Sequence, residues 1–191
     1  DITYTVQGLA IRPTGSLITC DDGNDKLRHW DGISGMPLTT QDAPAILFDG
    51  EPSSIVSGIT WDTANGYMIS GDRYNGKIYV QDRWSGPLVT SFKAPDRAIT
   101  GLAYDPDTGN LISCTYSDRI YVHDGVSGTI LRSFPSPGAY PDGIVYDPTT
   151  GNLLSCDSSA ATIYVHDGVS ETIIASYPAP ASDPTGLTYN P

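Results

Sequence analysis

The feature that most constrains this chain is a glycine-led tetrapeptide that occurs five times: Gly8-Leu-Ala-Ile, Gly58-Ile-Thr-Trp, Gly101-Leu-Ala-Tyr, Gly143-Ile-Val-Tyr and Gly186-Leu-Thr-Tyr. The glycines follow one another at intervals of 50, 43, 42 and 43 residues. Self-similarity at such a period means stacked copies of one supersecondary unit, none of which can bury its apolar face alone. A second marker runs in step with the first. Ile-Tyr-Val-His-Asp-Gly-Val-Ser stands at 120–127 and again at 163–170, with worn copies ending at Trp30-Asp31-Gly32 and Gln81-Asp82.

The third unit shows what the repeat contains. An apolar run at 101–105 ends in Pro106-Asp-Thr-Gly109, a turn using proline's fixed φ and glycine's access to positive φ. A second run, 110–115, is followed by the polar loop 116–118; a third, 119–124, closes on Asp124-Gly125; a fourth spans 129–134. Pro-rich linkers at 135–142 and 178–185 lead onward, and proline suits such edge connections because it lacks a donor. Strands this short between Gly, Pro, Asp and Ser specify an all-β chain. We label the four strands of each unit a to d. The reading is a single β-propeller domain over 1–191, four blades of four antiparallel strands, with repeats at 8–57, 58–100, 101–142 and 143–185 and unmatched terminal strands at 2–6 and 186–190. In the first repeat, 41–57 is a longer connection carrying an extra apolar piece at 45–48.

The run from 120 through the Gly143-Ile-Val-Tyr-Asp-Pro-Thr-Thr-Gly-Asn-Leu-Leu segment resembles β-propeller repeats of the YVTN, NHL and WD40-like type, and the likeness covers nearly the whole chain. It implies a propeller fold and leaves function open, because such folds serve as binding scaffolds, structural domains and some enzymes.

The ends do not match a simple four-unit ring. Ile2, Tyr4 and Val6 alternate like a strand d before the first blade, and Gly186, Leu187 and Tyr189 repeat strand a of a fifth. Three explanations stay open: a piece of a longer propeller, terminal strands that complete a neighbouring subunit by strand addition, or tails packed on a closed ring. The second would make a heterologous, head-to-tail contact and hence a filament unless rotation closes it.

Charge narrows the partners. The net charge is −12, and of 22 acidic residues only Glu51 and Glu171 are glutamates. Ten Lys and Arg in no cluster disfavour nucleic acid and anionic membrane. No apolar run approaches the roughly 20 residues of a membrane-spanning helix. Cys20, Cys114 and Cys156 hold one place in their repeats, with Gly71 in the second. Equivalent strands of neighbouring blades lie too far apart for a disulfide, so they read as small buried apolar residues.

No catalytic residue, metal site or cofactor is expected. His123 and His166 occupy one repeat position that Trp30 and Gln81 also fill, which marks a structural role, and His29 lies one residue off that register. Asp31, Asp82, Asp124 and Asp167 precede the c–d turns and look like acceptors for turn N–H groups. The acidic loops 21–25 and 105–109 resemble a fragment of a calcium loop but lack its distant bidentate Glu. No Gly-x-Ser-x-Gly elbow or Gly-rich phosphate loop occurs. A ligand face would fall on the b–c and d–a loops, where Tyr74, Tyr116, Tyr140, Arg73 and Arg97 could stack on and hydrogen-bond a sugar or a peptide. The functional expectation is a non-enzymatic extracellular assembly subunit that self-associates through exchange of its terminal strands into a filament. The alternatives are a carbohydrate- or protein-binding module and a piece of a larger propeller lyase or hydrolase. The extracellular expectation rests on the Thr, Ser, Asp and Gly-rich composition and the low lysine content.

Overall fold

Alternation of apolar and small polar residues in runs of five to seven, cut by turns of the type Asp-x-x-x-Gly, gives sixteen strands in the computed structural model, which describes residues 6–21, 26–32, 35–42 and 56–189. They form four separate four-stranded sheets in chain order, every pair antiparallel. Blade 1 is β1 (Val6–Ile11), β2 (Leu17–Asp21), β3 (Lys26–Trp30) and β4 (Pro37–Asp42). Blade 2 is β5 (Val56–Asp62), β6 (Tyr67–Asp72), β7 (Lys77–Asp82) and β8 (Leu88–Lys93). Blade 3 is β9 (Ile99–Asp105), β10 (Asn110–Thr115), β11 (Arg119–His123) and β12 (Ile130–Pro135). Blade 4 is β13 (Pro141–Asp147), β14 (Asn152–Asp157), β15 (Thr162–His166) and β16 (Ile173–Pro178). The chain is therefore an all-β propeller of four blades. The apolar segment 45–48, most of the acidic loop 21–25, and Ile2 and Tyr4 lie outside the described residues.

Each a–b turn ends in a glycine at positive φ, Gly15, Gly66, Gly109 and Gly151, where a side chain would be strained. Asp62, Asp105 and Asp147 start three of these turns, and their carboxylates accept the N–H groups of Ala64, Asp107 and Thr149 at 2.9, 2.9 and 2.8 Å. Asp72 and Asp157 do the same at the b–c turns. The c–d turns are instead closed by backbone, the N–H of Asp124 and of Asp167 each reaching a carbonyl at 2.8 Å. The aspartates that hold turn N–H groups therefore sit chiefly at the a–b and b–c turns, not at the c–d positions that the sequence singles out.

The core lies between blades. Ala10, Ile18, Cys20 and Leu27 of blade 1 pack on Val56, Ile59, Trp61 and Met68 of blade 2. Ile69, Ile78 and Val80 meet Ile99, Leu102 and Leu111. Ile112, Ile120, Val122 and Phe134 meet Ile144, Tyr146 and Leu153. Each blade thus has an outgoing face, from strands b, c and d, and an incoming face, from strands a and b.

The recurring glycines explain how the inner strands converge. A methyl on Gly58 would stand 2.9 Å from the N of Leu102, one on Gly101 3.0 Å from the N of Ile144, and one on Gly143 3.0 Å from the N of Leu187. One on Gly8 would stand 2.9 Å from the carbonyl of Ser57. Gly186 faces Gln7 and Leu9 at 3.7 and 3.8 Å. The five glycines therefore form a ring in which residues 185–189 stand between β13 and β1. Hydrogen bonds repeat the order. Ser57 donates to the carbonyl of Ile99, Thr100 to that of Pro141, and Thr185 to that of Val6 at 3.2 Å. Four blades occupy a ring of five sectors, and among the described residues the fifth sector holds only the inner segment 185–189. That segment has a slot in its own chain because the ring has one sector more than the blades, and Val6 belongs to β1.

Candidate functional site

Three places can be built from the residues upward: the central channel, the loop face carrying the tyrosines, and the incomplete fifth sector. The channel is a bowl of about 440 Å³ opening towards the a–b turns. Its lining alternates along the five inner segments. Leu9, Ile59, Leu102, Ile144 and Leu187 form one tier, and Ile11, Trp61, Tyr104, Tyr146 and Tyr189 the next. Towards the other face it narrows at the glycine ring to about 10 Å³, where Gln7, Ser57, Thr100, Asp142 and Thr185 surround it.

The aromatic tier clasps sectors together. The Arg12 guanidinium lies over Trp61, 5.1 Å from the ring centre. The Tyr104 hydroxyl donates to Asp62 of the preceding blade, and the Tyr146 hydroxyl to Asp107 at 2.8 Å. Tyr189 shares a hydrogen bond with Thr149, the same reach from sector five to blade 4. Burial, reinforced by Asp62, pushes the Tyr104 phenol up to about 12, and burial with Asp107 raises Tyr146 likewise. These phenols stay protonated as donors. The Tyr or Trp three places after four of the five glycines, Trp61, Tyr104, Tyr146 and Tyr189, is the signal that sequence reading passed over. In the Asp105 loop the carboxylates hold the turn and its neighbour: Asp105 takes the N–H groups of Asp107 and Thr108 and the Thr108 hydroxyl, and Asp107 takes Tyr146. Among the described residues no group of three His, Cys, Asp or Glu converges on a metal position.

On the loop face the structure brings together three of the five residues named for ligand binding. Arg73 stacks on Tyr116 with its guanidinium carbon 4.3 Å from the ring centre, and Tyr116 meets Tyr140 edge to face at 6.0 Å. Asp142, buried beneath, accepts from Tyr116 and Ser158, and its burial raises its carboxyl above the ordinary value. Tyr116 is thus held from three sides as a brace across blades 2, 3 and 4. Tyr74 and Tyr140 remain exposed, and Arg97 lies exposed against Gly76.

The histidines are structural parts. The Ser127 carbonyl sits 2.8 Å from Nδ1 of His123, and a carbonyl only accepts, so Nδ1 carries the proton and Nε2 accepts from Ser113 at 2.9 Å. His166 repeats this with Ser170 and Ser155 at 2.6 and 2.8 Å. Trp30 donates to Thr19 at 2.9 Å in blade 1, and in blade 2 Gln81 donates to the Trp84 carbonyl at 3.0 Å. Both histidines are fully buried, and burial lowers their pKa below the ordinary 6.5. Each ring also sits in a junction: Phe92 lies 5.9 Å from His123, and Phe134 6.0 Å from His166. The three cysteines are free and buried, as their register implies, and burial pushes Cys114 and Cys156 up to about 12, far from a reactive thiolate.

The fifth sector is walled on both sides by faces that are covered everywhere else. On blade 3, Ile112 and Ile120 are 0% exposed, Val122 5% and Phe134 6%. Their counterparts on blade 4, Leu154, Ile163 and Val165, are only half-buried, and Tyr177 is 58% exposed. The incoming face of blade 1 shows the same loss. Leu9, Ile11 and Leu17 are half-buried where Ile144, Tyr146 and Leu153 of blade 4 are buried.

The comparisons with known proteins agree with this architecture. The family described as WD domain, G-beta repeat matches residues 86–124. That window runs from strand d of blade 2 through strand c of blade 3, so the sequence unit straddles two blades. Among solved structures, a chain in the "Crystal Structure of Mitotic Checkpoint Complex" superposes with a TM-score of 0.65 at 14% identity, over 90% of this chain and 49% of that one. The present chain therefore spans about half the length of that neighbour, and at this identity the likeness is one of fold. No curated protein matches the sequence. Repeat and topology together define a β-propeller repeat protein, similar over residues 86–124 to the WD domain, G-beta repeat.

Proposed function

We propose that the chain is a non-enzymatic protein-interaction scaffold whose principal interface is the fifth sector. The observation that carries this reading is the pair of apolar walls: the outgoing face of blade 4 and the incoming face of blade 1 have the composition of a blade–blade junction, yet their residues are only half-buried and Tyr177 is exposed. The two histidines that an enzymatic reading would use are consumed in fixed hydrogen bonds inside the junctions. Turnover on a panel of glycosides and peptides that is abolished by His123→Gln with His166→Gln, in a variant that stays folded, would overturn the non-enzymatic reading.

A second reading, head-to-tail self-assembly into an extracellular filament, has one observation in its favour. The two walls are complementary to each other in the way that consecutive blades are, so blade 4 of one copy suits blade 1 of the next. Sedimentation velocity across a wide concentration range tests it. Association that grows with concentration and is lost in Tyr177→Asp is the expected result; one monomeric species throughout removes the filament.

A further inference from the structure

We infer that the basin is a binding site for a small quaternary ammonium compound of the choline type. This function is separate from the scaffold reading and makes no use of the walls of the fifth sector.

The cavity comes from the ring itself. Each inner strand stands at the edge of its sheet, and the five inner segments surround a space of about 440 Å³. That lies within the roughly 300–1,000 Å³ of ordinary small-molecule sites. The glycine ring narrows the space on the collar side, where Gln7 and Ser57 stand. The mouth is formed by the a–b turns, at the far end of β1 and β5 from Val6 and Val56, with Pro13, Pro106 and Pro148 in its lining.

The aromatic tier selects the chemistry. Trp61, Tyr104 and Tyr146 are buried and Tyr189 is half-buried, and all four line the basin. The three phenol hydroxyls are committed to Asp62, Asp107 and Thr149, so the tier meets a ligand with ring carbon. A head that presents methyl groups instead of N–H suits such a wall, and a positive charge near aromatic faces is attracted by their quadrupole. The chain already seats one cation here. The Arg12 guanidinium lies 5.1 Å from the centre of Trp61 and donates to His29 at 3.2 Å and to Ser16 at 3.5 Å, which holds it between blades 1 and 2. The arc centred on Tyr146, across the ring from Arg12, is the place for the ligand's charge.

The rim agrees in sign. Four places after its glycine, blade 1 has Arg12, whereas the other three blades have Asp62, Asp105 and Asp147. With Asp107, which accepts from Tyr146, four carboxylates flank the lining against one guanidinium, in a chain of net charge −12. Such a mouth draws in a cation and repels an anion.

The test titrates the intact chain by calorimetry with three compounds of one shape and different charge: choline, its uncharged isostere 3,3-dimethylbutan-1-ol, and 3,3-dimethylbutanoate. The expected result is saturable one-site binding of choline, about tenfold tighter than the alcohol, with no binding of the carboxylate. Ethanolamine, which has N–H in place of the methyl groups, binds more weakly than choline. Tyr189 lies outside the sheets, so its replacement leaves every ladder intact. Tyr189→Leu should weaken choline severalfold and leave the alcohol unchanged, and Tyr189→Phe, which keeps the ring, should bind choline as the parent does. Arg12→Gln removes the like charge and clears Trp61, so it should tighten choline severalfold. A merely apolar bowl would take the alcohol as well as choline, and an anion site would take the carboxylate and lose it in Arg12→Gln; either result overturns the inference. So do the absence of choline binding, ethanolamine binding as tightly as choline, and choline binding that ignores Tyr189→Leu.

Discussion

The junction between blades 3 and 4 and the gap between blades 4 and 1 are built from the same positions of the same repeat, yet one is sealed and the other is not. Phe134 at 6% exposure and Tyr177 at 58% are the clearest pair. The comparison teaches that burial here is set by the presence of a following blade and not by the residue type, since Ile163 and Val165 are as apolar as Ile120 and Val122. A repeat carries the potential for a core, and only a neighbour turns it into one.

The largest way to break the comparison is truncation at equivalent sites. Leu153→Ala, at a position with no exposure in the sealed junction, should cost about 2–5 kcal/mol by denaturant unfolding. Leu17→Ala, its counterpart facing the gap, should cost less than half as much. Equal losses would mean that the gap is packed in solution.

The glycine ring gives a smaller contrast. Gly101→Ala places a methyl 2.9 Å from Cys114 Sγ and 3.0 Å from the Ile144 backbone, and overpacking of that kind costs about 1–3 kcal/mol. Gly186→Ala meets nothing nearer than 3.7 Å and should be neutral within about 0.5 kcal/mol. A large cost at Gly186 would show that the closing segment is pinned as tightly as the others.

The smallest effect separates blades 3 and 4 from blades 1 and 2. His123 and His166 fold as neutral rings with pKa lowered by burial, so the unfolded chain binds more protons in the acid range. The stability they contribute is complete above the ordinary value of 6.5 and declines as pH falls below it towards the depressed folded value. Replacing both by Gln, the residue blade 2 uses at this position, should flatten the fall in denaturant midpoint between about pH 7 and pH 5. An unchanged slope would assign acid sensitivity to other groups.

Much of the fold was legible because the repeat states it several times. The glycine intervals, the Pro106-Asp-Thr-Gly109 and Asp124-Gly125 turns and the shared place of the cysteines together located strands b and c of the third unit to within a residue or two. The histidines were legible as structural for the same reason, since Trp30 and Gln81 stand in for them. The functional surface was less so. Tyr116 was named for its loop, but the Arg73 guanidinium and Asp142, 43 and 26 positions away, turn it into a brace that local pattern does not encode. The unfilled sector was visible only as a surplus glycine motif at 186. Whether it is a tail or a fifth inner strand depends on the sector angle of the ring, which no single repeat specifies.

The narrow waist of the channel has a consequence of its own. The space there, about 10 Å³, holds roughly one water molecule, so the hub is narrow at the glycine ring. Its two broad sides are separate environments, an apolar basin rimmed by phenols on one and a polar collar over Asp142 on the other. An apolar group is therefore better accommodated from the basin side of the disc than from the collar side.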